Sequence, residues 1–236
     1  MNDNVWNKFN PLAYVADNYD KVHEEDRAII DKLIQFFEHL PKQQSVLEVG
    51  TGPNLYPTML ALPIASNITC LEYSQNNIEY FNDQLQSPAN NWLQFWQYMQ
   101  TNSKIYSQYD LLTGLRTKIH ISQGDIFKLP PKLYDLVMMF FIAESITSFH
   151  DQFINACNKF VNAAKQNGIL IAAFMENSTG YKIDKQQFPS ISVNLEDIQS
   201  IFEPLTYDLI IHHIPVAKNP LRSGYTGMLL ITAKKR

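Results

Sequence analysis

The sequence predicts an α/β fold in which a doubly wound, mostly parallel sheet carries helices on both faces. Strand-like runs alternate with amphipathic helical runs along the 236 residues, and this alternation is typical of parallel sheets with crossover helices. Two strand-like runs, "YDLVMMFF" and "GILIAAFM", are apolar on both faces, as central parallel strands are. A glycine-containing loop, "EVGTGPN", follows the first strand. We therefore expect a Rossmann-like sheet of about seven strands in a single domain, residues 1–236, with an N-terminal helical lid.

The first half of the chain follows this alternation element by element. Residues 1–40 are predicted to form the lid and a helix, because apolar side chains recur at helical spacing from Glu25 to Leu40 and Pro41 ends the pattern. The elements expected after it are a strand at "SVLEVG", a short helix at "LYPTMLAL", a strand at "NITCLEYS" and a helix at "QNNIEYFNDQLQ". Residues 88–118 are polar and aromatic, and we expect an insertion that contains another helix and is not a separate domain.

The second half is predicted to hold the remaining strands and two helices. The strands expected there are "KIHIS", "YDLVMMFF", "GILIAAFM", "YDLIIHHIP" and "GMLLITA". Helices are predicted from Phe149 to Lys165 and around "LEDIQSIF", where apolar residues fall in helical register. The stretch "PLRSGYTGM" either forms a pocket wall through Arg222 and Tyr225 or makes a β-turn into the last strand, and the turn is the simpler interpretation.

Charge and composition argue against several kinds of partner. The net charge is −4 and the pI about 5.8, whereas nucleic acids and anionic membranes favour basic faces. The longest apolar run, "LVMMFFIA", is far shorter than the roughly 20 residues that span a bilayer, and the start of the chain lacks the apolar segment of a signal peptide. We therefore expect a cytoplasmic protein without a nucleic-acid or membrane partner.

The cysteines and histidines do not predict a metal site. Cys70 lies in an apolar strand pattern and Cys157 in a helical one, so we expect both to be small buried residues. The six histidines show neither paired nor mixed spacing with cysteine of the kind that binds metal. No metal is predicted.

The loop after the first strand is the expected ligand site, because ligands of such sheets bind at the carboxyl ends of the strands near the switch in strand order. Gly50 and Gly52 carry no Cβ, so the backbone can turn tightly and approach a ligand closely. Three acids, Glu48, Glu72 and Asp125, stand at the ends of three successive strands. Any one of them alone could be a solvated loop charge. Together they indicate a cationic ligand.

S-adenosylmethionine fits three carboxylates better than a dinucleotide, since its sulfonium and ammonium groups are positive and a pyrophosphate is negative. In this interpretation Glu48 lies near the amino-acid end of the ligand. Glu72, 24 residues beyond Glu48, takes the two ribose hydroxyls, as acids at the end of the second strand do. Asp125 and Ile126 hold the edge and face of the adenine.

Four stretches of the chain, "FNPLAYVADNYDK", "GTGPNLY", "LEYSQNN" and "DLVMMFFIAESI", resemble motifs of the class I S-adenosylmethionine-dependent methyltransferases. More narrowly, they are similar to the group that contains nicotinamide N-methyltransferase and phenylethanolamine N-methyltransferase, and the resemblance covers nearly the whole chain. It implies that Tyr14 and Tyr19 close over the cofactor, although without it ordinary packing of an N-terminal helix would be the first interpretation. We expect the segment Phe9 to Asp20 to be mobile without ligand and to become ordered over the cofactor.

The resemblance also assigns the donor loop. A proline replaces the usual third glycine, Asn54 is implied to bind the methionine portion, and Tyr56 to shield the sulfonium. The ribose motif carries Glu72, Tyr73 and Asn77. The complete set of residues predicted to bind the cofactor is Tyr14, Tyr19, Glu48, Gly50, Thr51, Gly52, Asn54, Tyr56, Glu72, Tyr73, Asn77, Asp125, Ile126 and Phe140.

Two acids are predicted to face the methyl acceptor. The fourth motif implies that Glu144 orients an amine. The family places an acid just after the fifth strand, where this sequence offers Phe174 in one alignment and Glu176 in another, so Glu176 is the second candidate. Each glutamate could instead be a helix-start or loop charge.

The expected function is methyl transfer from S-adenosylmethionine to a small molecule, most simply an amine or heterocyclic nitrogen, with S-adenosylhomocysteine as product. The alternative is a non-catalytic S-adenosylmethionine-binding protein with a regulatory or interaction role. A nucleic-acid or protein methyltransferase is disfavoured by the acidic charge and by the lack of an N-P-P-Y or D-P-P-Y motif at "MMFFIAES". An NAD-linked oxidoreductase is disfavoured because the third glycine is missing.

Overall fold

The computed structural model describes residues 3–6, 8–218, 220 and 224–236, so Arg222 lies outside the described residues. The helices in this part of the chain are α1 (Asp3–Trp6), α2 (Pro11–Asn18), α3 (Glu24–Phe37), α4 (Tyr56–Ala61), α5 (Gln75–Gln86), α6 (Asn90–Asn102), α7 (Lys104–Ser107), α8 (Leu111–Lys118), α9 (His150–Ala163) and α10 (Leu195–Phe202). The strands are β1 (Gln43–Val49), β2 (Ala65–Glu72), β3 (Ile119–Gln123), β4 (Tyr134–Phe140), β5 (Ala164–Glu176), β6 (Tyr181–Ile183), β7 (Gln186–Phe188), β8 (Thr206–Pro215) and β9 (Gly227–Lys235).

Seven strands form one sheet in the order β3-β2-β1-β4-β5-β9-β8. The first five run parallel, whereas β9 pairs antiparallel with both β5 and β8. This is the predicted mostly parallel, Rossmann-like sheet. The chain moves from β1 outward to β3 and then returns to place β4 on the other side of β1. The switch in strand order therefore lies between β1 and β4, where ligands of such sheets bind.

The helix α3 shows how local sequence sets an element. Its apolar residues at helical spacing, including Ile30, Leu33 and Phe37, are buried against the sheet layer, and this face drives the packing. The helix ends at Phe37, three residues earlier than the pattern predicted. Pro41 accounts for an early end, because the residue before a proline is disfavoured in the helical conformation.

Residues 88–118, the segment expected to be an insertion, form α6, α7 and α8 and pack into the main core. Trp92, Phe95 and Met99 from α6 and Tyr106 from α7 are fully buried in the same cluster as residues of α3 and α4. The Tyr106 hydroxyl donates to the carbonyl oxygen of Leu60 in α4, at 2.8 Å. This segment is thus one wall of the main core.

A small two-stranded sheet, β6 paired antiparallel with β7, is a feature that the sequence patterns did not predict. Between Tyr181 and Phe188 the chain is mostly polar, "YKIDKQQF", so no apolar strand pattern appears. Phe188 nevertheless is buried and packs against Phe9 and Trp6, with ring centroids 5.3 Å apart in each pair. The hairpin therefore supports the N-terminal segment.

Other sequence expectations concern buried or membrane-spanning residues. Cys70 and Cys157 are both fully buried free thiols, as predicted. In the described part of the chain, none of the helices combines the length and apolar character needed to span a membrane.

Candidate functional site

A deep cleft lies at the carboxyl ends of β1, β2 and β4. It holds about 1110 Å³ of free space, including the part open to solvent. The loops after the three strands form its floor, and the segment around α2 forms one wall. Most of the predicted cofactor-binding residues line it, namely Tyr14, Tyr19, Gly50, Thr51, Gly52, Asn54, Glu72, Tyr73, Asn77, Ile126 and Phe140.

The glycine loop at the end of β1 takes a shape that only glycine adopts easily. Gly50 and Gly52 have φ of +67° and +57°, in the left-handed region where a side chain adds strain. A Cβ on Gly50 would also lie 2.7 Å from Cγ1 of Ile142. The backbone N–H of Gly50 donates to the carbonyl oxygen of Leu71 at 2.8 Å, which ties the loop to β2.

Glu72 ends β2 and is the most firmly held acid in the cleft. Its Oε2 accepts from the backbone N–H of Gly52 at 2.7 Å, and its Oε1 accepts from the backbone N–H groups of Tyr73 and Ser74 at 2.8 and 2.7 Å. The Asn77 amide lies 3.4 Å from the same oxygen. Burial raises the pKa of Glu72 above its ordinary value, and the bonds from Ser74 and Gly52 oppose that rise. These bonds fix the carboxylate beside the glycine loop.

The tyrosines of the N-terminal segment meet the donor loop. The Tyr19 hydroxyl accepts a hydrogen bond from the Asn54 amide at 3.1 Å. The rings of Tyr14 and Tyr19 lie 5.9 Å apart, and those of Tyr19 and Tyr56 lie 6.0 Å apart. Tyr56 is fully buried behind the cleft wall and stacks on Phe95 at 5.3 Å. Tyr56, which the resemblance implied to shield the sulfonium, is not among the cleft-lining residues, because its ring packs between Tyr19 and Phe95.

Glu48 does not reach the cleft. It lies inside β1, is 2% exposed, and accepts a hydrogen bond from the Thr58 hydroxyl in α4. Burial raises the pKa of Glu48 to about 8. The side chain points to the helix layer because neighbouring residues of a strand face opposite sides of the sheet. Glu48 was expected to lie near the amino-acid end of the ligand. The structure instead turns its carboxylate toward α4.

The Asp125 side chain also makes a structural contact with the backbone that follows it. Its carboxylate accepts from the backbone N–H of Phe127 at 2.9 Å and caps the short 3₁₀ turn Ile126–Lys128. Asp125 is not among the cleft-lining residues, whereas Ile126 is. The structure therefore brings the apolar half of the predicted adenine pair to the cleft and turns the acid toward its own backbone.

The two acids predicted to face the acceptor lie outside the cleft wall. Glu144 is fully buried and accepts from the backbone N–H of Met175 at 2.9 Å. Glu176 accepts from the Thr226 hydroxyl at 2.7 Å and lies 3.0 Å from Nε2 of His213. Phe174, the other residue that could follow β5 in place of an acid, is fully buried. None of these side chains lines the cleft in the described residues.

Asp26, in the first turn of α3, lines the cleft and was missed from the sequence. It is 3% exposed, and burial raises the pKa of its carboxyl well above the ordinary value. The run "HEEDR" is typical of a charged helix start, which is ordinarily solvent-exposed, so no sequence pattern predicted that Asp26 lines a cleft. Tyr181 and Met228 also line the cleft, from the β6–β7 hairpin and from β9.

Comparison with known proteins gives the family. The model of the NNMT/PNMT/TEMT family matches residues 1–236, the whole chain. The chain belongs to this family. It is a family of S-adenosylmethionine-dependent methyltransferases, as the motifs implied. No curated protein sequence gives a significant match to the chain.

Solved structures share the fold of this family member at low sequence identity. The complex of DhpI with S-adenosylhomocysteine is 14% identical, with a TM-score of 0.61 over 95% of this chain and 91% of DhpI. The N-methyltransferase NodS from Bradyrhizobium japonicum WM9, bound to S-adenosylhomocysteine, is 12% identical, with a TM-score of 0.59 over 92% and 89%. A phosphoethanolamine N-methyltransferase 2 from Haemonchus contortus is 11% identical, with a TM-score of 0.57 over 100% of this chain and 58% of that protein.

The cleft of this family member fits S-adenosylmethionine. Three buried polar atoms in the cleft wall, Oδ2 of Asp26, Oγ1 of Thr51 and Oδ1 of Asn77, have no hydrogen-bond partner among the described residues. The charged side chains of the described cleft wall are the carboxylates of Asp26 and Glu72. A ligand that carries both hydroxyls and positive charge satisfies such a wall, since buried polar atoms need partners.

Proposed function

We propose that the chain binds S-adenosylmethionine in this cleft and transfers the methyl group to an amine or heterocyclic nitrogen of a small molecule. The observation that carries the proposal is the carboxylate of Glu72. Three backbone N–H groups fix it at the end of β2, beside the glycine loop. An acid in this position accepts hydrogen bonds from the two hydroxyls of a ribose.

When bound, S-adenosylmethionine supplies a methyl group activated by its positive sulfur. The protein's part is alignment, because in-line methyl transfer needs no covalent bond to a side chain. Glu72 and Asn77 hold the ribose, and the glycine loop accepts the amino-acid portion. Tyr14 and Tyr19 cover the reacting centre, where an aromatic face attracts a cation by about 0.5–2 kcal/mol. Trp6 and Phe9 help to exclude water.

Three features support a nitrogen acceptor of small size. The described cleft wall carries carboxylates and aromatic rings, which suit a neutral or cationic amine. The cleft is covered by the N-terminal segment and the β6–β7 hairpin, so a bulky polymer is not expected to enter. NodS and the Haemonchus contortus protein are both named as N-methyltransferases. An amine must lose its proton before it attacks the methyl group.

A non-catalytic S-adenosylmethionine-binding protein is the second candidate, and one observation favours it. Glu144 and Glu176, the two acids expected to face an amine, are held by Met175 and Thr226 away from the cleft wall. Such a protein would bind the cofactor and methylate no acceptor. Turnover with a panel of amines and pyridines, followed as S-adenosylhomocysteine release, separates the two candidates.

Cofactor binding itself is tested by calorimetric titration with S-adenosylhomocysteine and with NAD. We expect S-adenosylhomocysteine to bind and NAD not to bind. Glu72→Ala is expected to weaken S-adenosylhomocysteine binding by roughly 1.5–3 kcal/mol, the loss for hydrogen bonds to a charged group. The matched control is Glu79→Ala, on the exposed face of α5. Binding of NAD, or unchanged affinity in a folded Glu72→Ala protein, would contradict the proposal.

A further inference from the structure

The amino-acid end of the proposed cofactor needs a partner for its ammonium group. Glu48, the acid that the sequence offered for this role, hydrogen-bonds Thr58 in the helix layer. Glu72 is occupied by donors on the ribose side of the cleft. Among the charged residues of the described cleft wall, Asp26 is then the remaining acid.

The first turn of α3 is oriented by Glu25, the neighbour of Asp26. Glu25 accepts hydrogen bonds from the Tyr225 hydroxyl at 2.9 Å and from the backbone N–H of Ala217 at 3.0 Å. Successive residues of a helix point about 100° apart. Since Glu25 faces the segment between β8 and β9, Asp26 faces a different side, and this side is the cleft.

The surroundings of Asp26 suit the two opposite charges of an α-amino acid. Thr51, Asn54 and Tyr19 line the same cleft and supply hydroxyl and amide groups that can bind a carboxylate. Burial is the main cause of the raised pKa of Tyr19 and Tyr56, and the charge of Asp26 adds to both shifts, which agrees with a position near these hydroxyls. Oδ2 of Asp26 is buried and has no hydrogen-bond partner in the part of the chain that the structure describes.

We propose that Asp26 accepts hydrogen bonds from the α-ammonium group of S-adenosylmethionine, opposite the Thr51–Asn54 side that receives the α-carboxylate. This inference rests on the proposed function, because it assigns a residue to one end of the same cofactor. An ammonium beside a buried carboxylate gains more than in water, since the pair is little screened. Asp26 thus selects ligands that keep the amino-acid portion.

The test compares two ligands that differ in that portion. S-adenosylhomocysteine carries the ammonium and carboxylate, whereas 5′-methylthioadenosine keeps only the adenosine and sulfur. In calorimetric titrations, Asp26→Asn is expected to weaken S-adenosylhomocysteine binding about tenfold or more and to leave 5′-methylthioadenosine binding unchanged. The matched control is Glu48→Gln, another buried acid, which is expected to change neither affinity.

Asn is the same size as Asp and keeps an acceptor, so the fold should persist, and an unfolding curve checks this. If Asp26→Asn does not fold, the wild-type protein is titrated with the deaminated analogue of S-adenosylhomocysteine, which should bind at least about tenfold more weakly than the parent. Equal affinity of these two ligands would overturn the inference. Equal effects of Asp26→Asn on both adenosyl ligands, or no effect on either, would overturn it while the cofactor assignment stands. A wild-type protein that binds neither adenosyl ligand would overturn the proposed function as well.

Discussion

The buried carboxyl group of Glu48 lies between β1 and α4, next to the hydroxyl of Thr58. Burial disfavours its charged form and raises its pKa to about 8. Because the pKa of a free glutamate is near 4.5, the folded protein keeps a proton on Glu48 that the unfolded chain releases as pH rises between these values. Folding therefore becomes less favourable through this window.

Glu48→Gln should remove this pH dependence, because glutamine carries no ionisable proton. Relative to the variant, the wild-type protein is expected to lose roughly 2–4 kcal/mol of unfolding free energy between about pH 5 and pH 8. Urea unfolding at the two pH values measures the difference. Glu79→Gln, at an exposed position, controls for the loss of a charge, and a wild-type-to-variant difference that is the same at both pH values would contradict the prediction.

Some residues of the site are oriented by nearby residues in the sequence, and others by the packing of distant elements. Gly50, Gly52 and Glu72 act through backbone shape and hydrogen bonds within a few residues of the strand ends, so motif and spacing identified them. The directions of Glu48 and Asp26 depend on which neighbouring layer packs against them. Sequence spacing placed Glu48 at a strand end, but only the three-dimensional packing of α4 and α3 determines which carboxylate meets the cleft.

The N-terminal segment, residues 9–20, contacts the β6–β7 hairpin, which lies far from it in the sequence. Phe9 in the N-terminal segment packs on Phe188 of β7, and the Asn10 amide donates to the Asp184 carboxylate at the hairpin turn, at 2.8 Å. The helix α2 ends at Asn18, so Tyr19 follows it in a non-helical conformation. Both tyrosines of the segment can therefore face the cleft, which helical spacing alone would not allow.

Phe188→Ala should loosen the N-terminal segment, although Phe188 itself does not line the cleft. Phe188 makes ring contacts at 5.3 Å with Phe9 and Trp6, and each aromatic pair contributes about 0.5–1.5 kcal/mol. We expect hydrogen exchange across residues 9–20 to quicken by roughly 5- to 100-fold, and S-adenosylhomocysteine to slow it in the wild-type protein.

The control for the hairpin is Lys182→Ala, an exposed residue of β6 that is expected to leave exchange unchanged. Unaltered exchange across residues 9–20 in Phe188→Ala would mean that the hairpin does not hold the lid. Exchange that S-adenosylhomocysteine does not slow in the wild type, at a saturating concentration, would mean that no ligand-linked lid exists.

At the scale of the whole molecule, the sheet and most helices were predictable because their patterns reflect burial. β4 and β5 are apolar on both faces since helices cover both sides of the sheet. The antiparallel direction of β9, which lies between β5 and β8, was not predictable from the sequence pattern, because strand direction depends on the connection. The β6–β7 hairpin was not predicted because its three-residue strands are too short to show alternating apolar residues.

Residues 88–118 share buried aromatic contacts with residues at the cleft, so the two parts of the chain are expected to unfold together. Trp92 of α6 packs on Tyr19 at 5.6 Å, and Phe95 stacks on Tyr56 at 5.3 Å with the rings 7° apart. Residues 88–118 therefore share one cluster of buried aromatic rings with Tyr19 and Tyr56. We predict a single cooperative transition in which the insertion and the central sheet unfold together.

Fluorescence and circular dichroism can follow the two parts separately. The chain has three tryptophans, and Trp6→Phe leaves only Trp92 and Trp96, both buried in α6. Thermal unfolding of this variant should give the same midpoint by tryptophan emission and by far-ultraviolet circular dichroism. S-adenosylhomocysteine at 100 times its dissociation constant should stabilise the fold by about 2.7 kcal/mol and raise both midpoints together by roughly 5–10 °C. An emission transition that comes first, or that the ligand does not move, would show that residues 88–118 unfold as a separate unit.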